Sequence, residues 1–584
     1  MSRIMLLAAL AGCSASSGGP TAAARDAAAA PVPSATPIAD AAPDAEAVAR
    51  AHHALDRLGF GARPGEAERV AREGVDAWIA RQMQPATLPD AQLEEALRAL
   101  PSLSMSMKEL ITAYPKPKPM PAKPDGAAEG DDAKGRKPAA PAAPSKAKKA
   151  KARPGELDMD RIEKPGVPAA KEDAGKKPRQ ILADLSAQKV MRAVQSERQL
   201  QEVLVDFWFN HFNVFARKSQ QTLYTLGDYE RTAIRPNVFG KFRDLLGATA
   251  QHPAMLFYLD NYRSAAEQGA TAGAGAGKKP AKAKARGLNE NYGRELLELH
   301  TVGVDGGYSQ DDVRQAARAL TGWTVNEPAA DPAFVFRPAM HDTGAKTVLG
   351  TALDRGGKGD GEQLLDLLAR RPETARFVAR KLAQRFVSDA PPQPLVDRLA
   401  ETFTRTDGDL RAVYTALFAS PEMWAPEART AKTRKPFELA ASALRATGAS
   451  YDGSPQLVGR IERLGEPLYR CQPPTGYKDT ADAWVSTGAL VSRINFGIDL
   501  AAGKIQGVKM DTRPLAGSAS LDDSEALVDA LSAALLHRAP SAGTRATILA
   551  ALKKDDAVDY QEPSPTQLPQ AVGLLLGSPE FQKR

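Results

Sequence analysis

Outside three Pro/Ala-rich stretches, apolar side chains recur at intervals of three and four residues with few alternating runs, a spacing that restricts the chain to helices packed on helices. In 197–215 (ERQLQEVLVDFWFNHFNVF), Leu200, Val203, Leu204, Phe207, His211 and Phe215 share one helical stripe, which predicts an amphipathic helix with His211 on its buried side. The same pattern predicts helices over 47–58, 64–82, 238–250, 253–261, 288–300, 310–321, 361–369, 372–388, 394–405, 409–418, 434–447, 524–537, 542–553 and 566–576. Ser420-Pro421-Glu422 and Ser578-Pro579-Glu580 each set a capping hydroxyl, a helix-compatible proline and an acid in order, marking two helix starts. The main departure is 334–349, FVFRPAMHDTGAKTVL, whose apolar triplets flank a polar turn. The expected fold is all-α: a large multi-helix domain with one short β-hairpin or extended loop and long disordered inserts.

The interruptions set the domain plan. Residues 13–48 read as a tether, 115–177 as a Pro/Ala/Lys linker and 265–286 as a smaller insert, because such compositions bury too little apolar surface to offset the entropy of ordering. The helical parts are then 49–114, 178–500 and 501–584. The linker and the insert carry net charges of +6 and +4, so against a total of +7 the rest of the chain is −3. A nucleic-acid protein concentrates its cations on a folded face instead, and no nucleic-acid partner is expected. Two cysteines in 584 residues, Cys13 and Cys471, supply neither a disulfide framework nor a thiolate metal site. Cys471 reads as a buried structural thiol.

Residues 1–13, MSRIMLLAALAGC, combine a basic start, a short apolar run and small residues before a cysteine. The run is too short to span a bilayer. Leu-Ala-Gly-Cys resembles a bacterial lipobox, which implies a signal peptide over 1–12 and lipidation at Cys13. With Ser14 following, the expected location is the outer membrane, held by acyl chains at Cys13.

Nucleophile-elbow, zinc-protease and phosphate-loop motifs are missing from the sequence. What remains is a helix at 288–300 on which Asn291, Arg294, Glu295 and Glu298 share one face. Carboxylates one turn apart in apolar surroundings need an arginine, a metal ion or a proton. A general acid, a metal site, or a structural network with Arg294, Arg235 or Lys381 would each satisfy them. His211, with Asn210 and Asn213 beside it, and His341-Asp342 are the other candidates. Together they predict Glu298, Glu295, His211 and Asp342 as catalytic, and His211, Glu298 and His341 as ligands of one divalent metal ion. Asn213, Asn291, Arg294, Trp323 and Lys346 complete the set as substrate-binding residues. Tyr469, Tyr477 and Trp484, among the prolines of 465–484, form either an aromatic platform or an ordinary lid over a helical core.

HHALDRLGFGARPGE at 52–66, FWFNHFNV at 207–214, YERTAIRPNVFGKFRDLL at 229–246, NENYGRELLELHTVGVDGGYSQDDV at 289–313, RALTGWT at 318–324 and GEPLYRCQPPTGYKDTADAW at 465–484 resemble the bacterial domain-of-unknown-function 1800 family. The resemblance runs over 49–584 apart from the two long inserts. It implies an exported helical protein, often encoded beside a sulfatase-like exported partner, with no activity established. The chain departs from the family pattern in its Lys/Ala inserts and in Cys471, where an apolar residue or proline is usual.

Two functions follow as expectations. One is a hydrolase-like enzyme with a His/Glu/Asp cleft acting on an envelope or extracellular polymer. The other is a non-catalytic scaffold or binding subunit for a sulfatase-like exported partner.

Overall fold

Helix starts follow local capping chemistry. The Asp44 carboxylate accepts the Ala47 N–H (2.7 Å) at the head of Ala45–Leu58, and Ser106/Glu109 and Ser309/Asp312 close capping boxes over Met107–Ala113 and Gln310–Ala319. Of the two predicted Ser-Pro-Glu starts, Ser578 caps through its hydroxyl to the Phe581 N–H (3.2 Å), whereas Ser420 turns its hydroxyl back to the Leu417 carbonyl (2.7 Å). The computed structural model describes residues 43–115, 178–267, 287–327, 329–555 and 567–584, with the side chains of 554 and 555 left aside. Cys13 and most of the linker and insert lie outside these residues.

The fold is all-α, with three two-stranded antiparallel ribbons as the strand pairing among the described residues. The predicted hairpin over 334–349 is replaced by two ribbons. Ala333–Phe336 pairs backward with Trp323–Asn326, and Lys346–Val348 pairs forward with Thr351–Leu353. Leu349 and Gly350 both take positive φ (50° and 76°), a two-residue reversal that turns the second apolar triplet onto its own continuation. The predicted helix 64–82 breaks at Gly74, where φ is 91°, into Glu66–Glu73 and Val75–Gln82.

Arg179–Gln195 and Thr487–Ala501 are helices that periodicity does not reveal, and the short Pro455–Arg463 is a further helix beyond those expected. In Arg179–Gln195, Ile181, Leu185, Val190, Met191 and Val194 are all buried, so apolar residues ring the helix and no single stripe stands out. Thr487–Ala501 carries Gly497 in its interior because Gln567–Leu576 packs against it backbone to backbone. A Cβ on the facing Gly573 would lie 2.7 Å from the Ile498 Cα.

Helix Gln199–His211 runs through the centre, buried on nearly every side, with the Trp208 indole donating to the Tyr414 hydroxyl (2.6 Å). Its neighbours include Ala45–Leu58, Val75–Gln82, Arg179–Gln195 and Tyr229–Ile234. Arg584 pairs by main chain with Lys432 (2.9 and 3.1 Å) and sends its guanidinium inward to the Asp56 carbonyl (2.6 Å) and Glu438 (2.7 Å). One apolar core thus joins residues from 51 to 581. Two segments widen into π-helical turns, Tyr229–Ile234 and Leu296–His300. Among the described residues no helix is long and apolar enough to cross a membrane.

Candidate functional site

Helix Asn291–Glu295 leads directly into the π turn Leu296–His300. Tyr292, Leu296 and Leu297 are buried, and Gly293 lets the backbone press on Gln310–Ala319, where a Cβ would sit 2.8 Å from the Val313 carbonyl oxygen. The polar edge that remains carries Glu295 and Glu298. Burial, then repulsion from Glu298, push the half-buried Glu295 carboxyl up to about 7, against an opposing pull from Arg294. Glu298 accepts the Tyr308 hydroxyl (3.2 Å), and Arg294 donates to Gln310 Oε1 (2.7 Å). Asn291 is exposed, its N–H bonded to Asn289 Oδ1 (3.0 Å). A carboxyl that exchanges its proton near neutrality beside a second carboxyl is the arrangement of a general acid/base, and π turns are frequent at functional sites.

His211 lies beneath this segment. Its Nε2–H donates to the His300 carbonyl oxygen (3.1 Å), while Nδ1 is buried without a partner against the Phe212 and Phe377 rings. Burial, the Lys381 ammonium and His300 hold its pKa well below the usual imidazole range, so it is neutral at pH 7. His300 is pushed down to about 3 by burial and by Lys381, and Lys381 itself down to about 8 by burial, with Asp479 opposing. His211 therefore reaches the carboxylate segment through a backbone carbonyl rather than through the side chain of Glu298.

His341, Asp342 and Lys346 form a separate cluster, a correction to the expected cleft. Arg318 grips both Asp342 oxygens (2.9 Å each) and the Gly344 N–H adds a third bond (2.9 Å), holding the carboxyl below its usual range. His341 faces the Thr321 carbonyl (2.8 Å) with Nδ1 and Asp360 (3.2 Å) with Nε2, so neither nitrogen is open to a metal. Lys346 is buried against Asp360 (2.8 Å) and the carbonyls of Asp342 and Gly344. No hydrogen bond or ion pair among the described residues joins this cluster to Glu295, Glu298 or His211. The expected metal set of His211, Glu298 and His341 is not assembled, and no three His, Cys, Asp or Glu side chains converge as ligands among the described residues.

Two expected substrate contacts are structural. Trp323 is fully buried, edge-on to Phe334 (ring centroids 5.3 Å) and covered by Gly361. Asn213 donates to the carbonyls of Cys471 (3.0 Å) and Pro473 (2.8 Å), and Asn210 both donates to and accepts from the Tyr477 main chain (2.7 Å each). The end of the central helix thus clamps the loop 465–484. Tyr258 adds its hydroxyl to the Gln472 carbonyl (2.8 Å).

The larger polar feature is a buried charge network. Asp206 lies between Lys189 (2.7 Å) and Lys435 (3.4 Å), and Lys435 reaches Asp479 (3.4 Å). Glu438 holds Arg385 and Arg584 (2.7 Å each). Arg235 binds Glu202 through two bonds (2.7 and 3.0 Å) and Glu230 (3.2 Å), which also accepts the Tyr469 hydroxyl. Burial alone would raise these acids. The ammonium groups of Lys189 and Lys435 more than offset it at Asp206, and Arg385 and Arg584 bring Glu438 down to about 2. Glu466 lacks such a close cation: burial pushes it up to about 7, against the pull of Lys435, with the Phe437 N–H bonded to it (2.9 Å). Burial, with Glu466 adding, raises the Cys471 thiol to about 12, so it is an inert thiol at pH 7. The cavity enclosed here is about 30 Å³, room for about two waters and no substrate. The one sequence signal was Glu202 and Asp206, four residues apart on a helix that packing buries on nearly every side.

Fold and site together define a helical protein whose interior is cross-linked by ion pairs, with one carboxylate pair at the polar edge of a π turn. The chain belongs to the family described as "Protein of unknown function (DUF1800)", whose model matches residues 53–583. No curated protein and no solved structure matches it.

Proposed function

We propose that this protein is an exported, Cys13-lipidated envelope component that works as a non-catalytic scaffold or binding subunit for a sulfatase-like exported partner. The observation that carries this reading is the engagement of its polar side chains: among the described residues Asp342, Lys346 and His341 are held by Arg318, Asp360 and main-chain carbonyls, apart from Glu295, Glu298 and His211. The lipobox-like Leu-Ala-Gly-Cys supports the anchor, and the family resemblance supports the kind of partner. A hydrolase reading survives at one place, Glu295, whose carboxyl titrates near 7 beside Glu298 and could serve as general acid on an envelope polymer. Co-purification of the full chain with an exported sulfatase-like protein decides between them. Retention of that partner by both the parent and Glu295→Gln supports the scaffold. Turnover of a polysaccharide panel by the parent, lost in Glu295→Gln, overturns it. Membrane fractionation of Cys13→Ala tests the anchor, with release into the soluble fraction expected.

A further inference from the structure

Helix Arg179–Gln195 turns Ile181, Leu185, Gln188 and Arg192 to one side, at spacings of four, three and four residues. That stripe passes from apolar to charged over about 16 Å. It lines a cavity of about 300 Å³, at the low end of small-molecule sites. The opposite wall runs along the helix in the reverse sense: Glu94 meets Arg192 (3.0 Å) and Ser102 meets Asp184 (2.7 Å). This order carries Met107 and Leu110 toward the Ile181 end. The cavity therefore has an apolar end and a charged end.

The charged end favours an anion. The lining carries Arg98, Arg192, Arg231 and Arg235 against Glu94, Asp228 and Glu230, one cation more than anions, with Arg231 held between Asp228 and the Leu103 carbonyl. Arg235 is committed to the buried Glu202 and stays in place. Arg192 is different: its hydrogen-bonded partner Glu94 is 46% exposed, its second and more distant partner is the buried Glu202 (4.0 Å), which Arg235 already binds, and its Nε is buried with no hydrogen-bond partner. Glu94 already stands half in water, so its release leaves no buried carboxylate behind. An incoming carboxylate would then satisfy the guanidinium, including the orphaned Nε.

We propose that this cavity binds a small amphiphile, its apolar tail between Ile181, Leu185, Met107 and Leu110 and its carboxylate head on Arg192. The site lies apart from the Glu295–Glu298 segment and does not depend on the scaffold reading. Calorimetric titration of the full chain carrying Cys13→Ser, which needs no detergent to compete for the cavity, tests it with decanoate, decanol and decyltrimethylammonium. Saturable one-to-one binding of decanoate is expected, with decyltrimethylammonium much weaker. Arg192→Gln should weaken decanoate by about tenfold, the loss of a charge-assisted bond, and leave decanol little changed. Met107 is only half-buried, so Met107→Trp fills the cavity without opening the core and should abolish binding of both at an unchanged melting temperature. Absence of saturable decanoate binding, equal binding of the cationic amphiphile, or parent-like binding by both variants overturns the proposal.

Discussion

Glu438 is the most exacting test of the buried charge network. It is 2% exposed, accepts a hydrogen bond from Arg584 and is ion-paired with Arg385 (2.7 Å each), both guanidinium groups being buried. Glu438→Gln keeps the volume and removes the charge, leaving two cations without their counter-ion. Two routes give the size of the effect. Breaking a buried pair by removing one partner costs about 3–5 kcal/mol. Independently, a carboxyl lowered from 4.5 to about 2 on folding corresponds to about 3 kcal/mol at neutral pH. The sign follows from the direction of the shift. A depressed folded pKa contributes stability that is fully present above 4.5 and is lost as pH falls toward about 2. Urea unfolding of the parent and Glu438→Gln should therefore differ by about 3 kcal/mol at pH 7, and by about 1 kcal/mol less at pH 4. A difference below about 1 kcal/mol at pH 7, or one that grows as pH falls, would refute the idea that this carboxylate neutralises the arginines.

Further outcomes follow from other contacts. In carbon-13 NMR of labelled glutamate, the Glu295 carboxyl should titrate near 7, and Glu298→Gln should move that midpoint down by removing the repulsion. Lys346→Met leaves the buried Asp360 with His341 and the Gly356 N–H but no lysine, and should lower thermal stability by about 3 kcal/mol, measured by calorimetry. Gly476→Ala sets a Cβ into the Asn210 carbonyl at a residue with φ of 71°, so limited proteolysis should cut within 465–484 far faster than in the parent.

Much of the fold was legible because helix periodicity and cap chemistry act within a few residues of sequence. The Glu295–Glu298 pair was legible for the same reason: both lie one turn apart on one element. Asp342 was misplaced because its partner, Arg318, comes from a helix ending more than twenty residues earlier, and no local pattern marks that pairing. Trp323 is expected to bind substrate, but nothing near it in the chain reveals that Gly361 covers its ring. The single expected hairpin failed where Phe334–Phe336 found a partner upstream instead of downstream.

From the residues alone came the class, all-α, together with the family, the places where helical segments give way to Pro/Ala/Lys composition, and the carboxylate stripe. All of these depend on spacing or local composition. Which charges are buried, and with whom, was decided only by tertiary packing. Asp206 receives Lys189 and Lys435 from opposite sides of the chain, and Glu438 receives Arg584 from far along it. A buried ion pair is set by distance in space and by exclusion of water, and neither quantity has a period in the sequence.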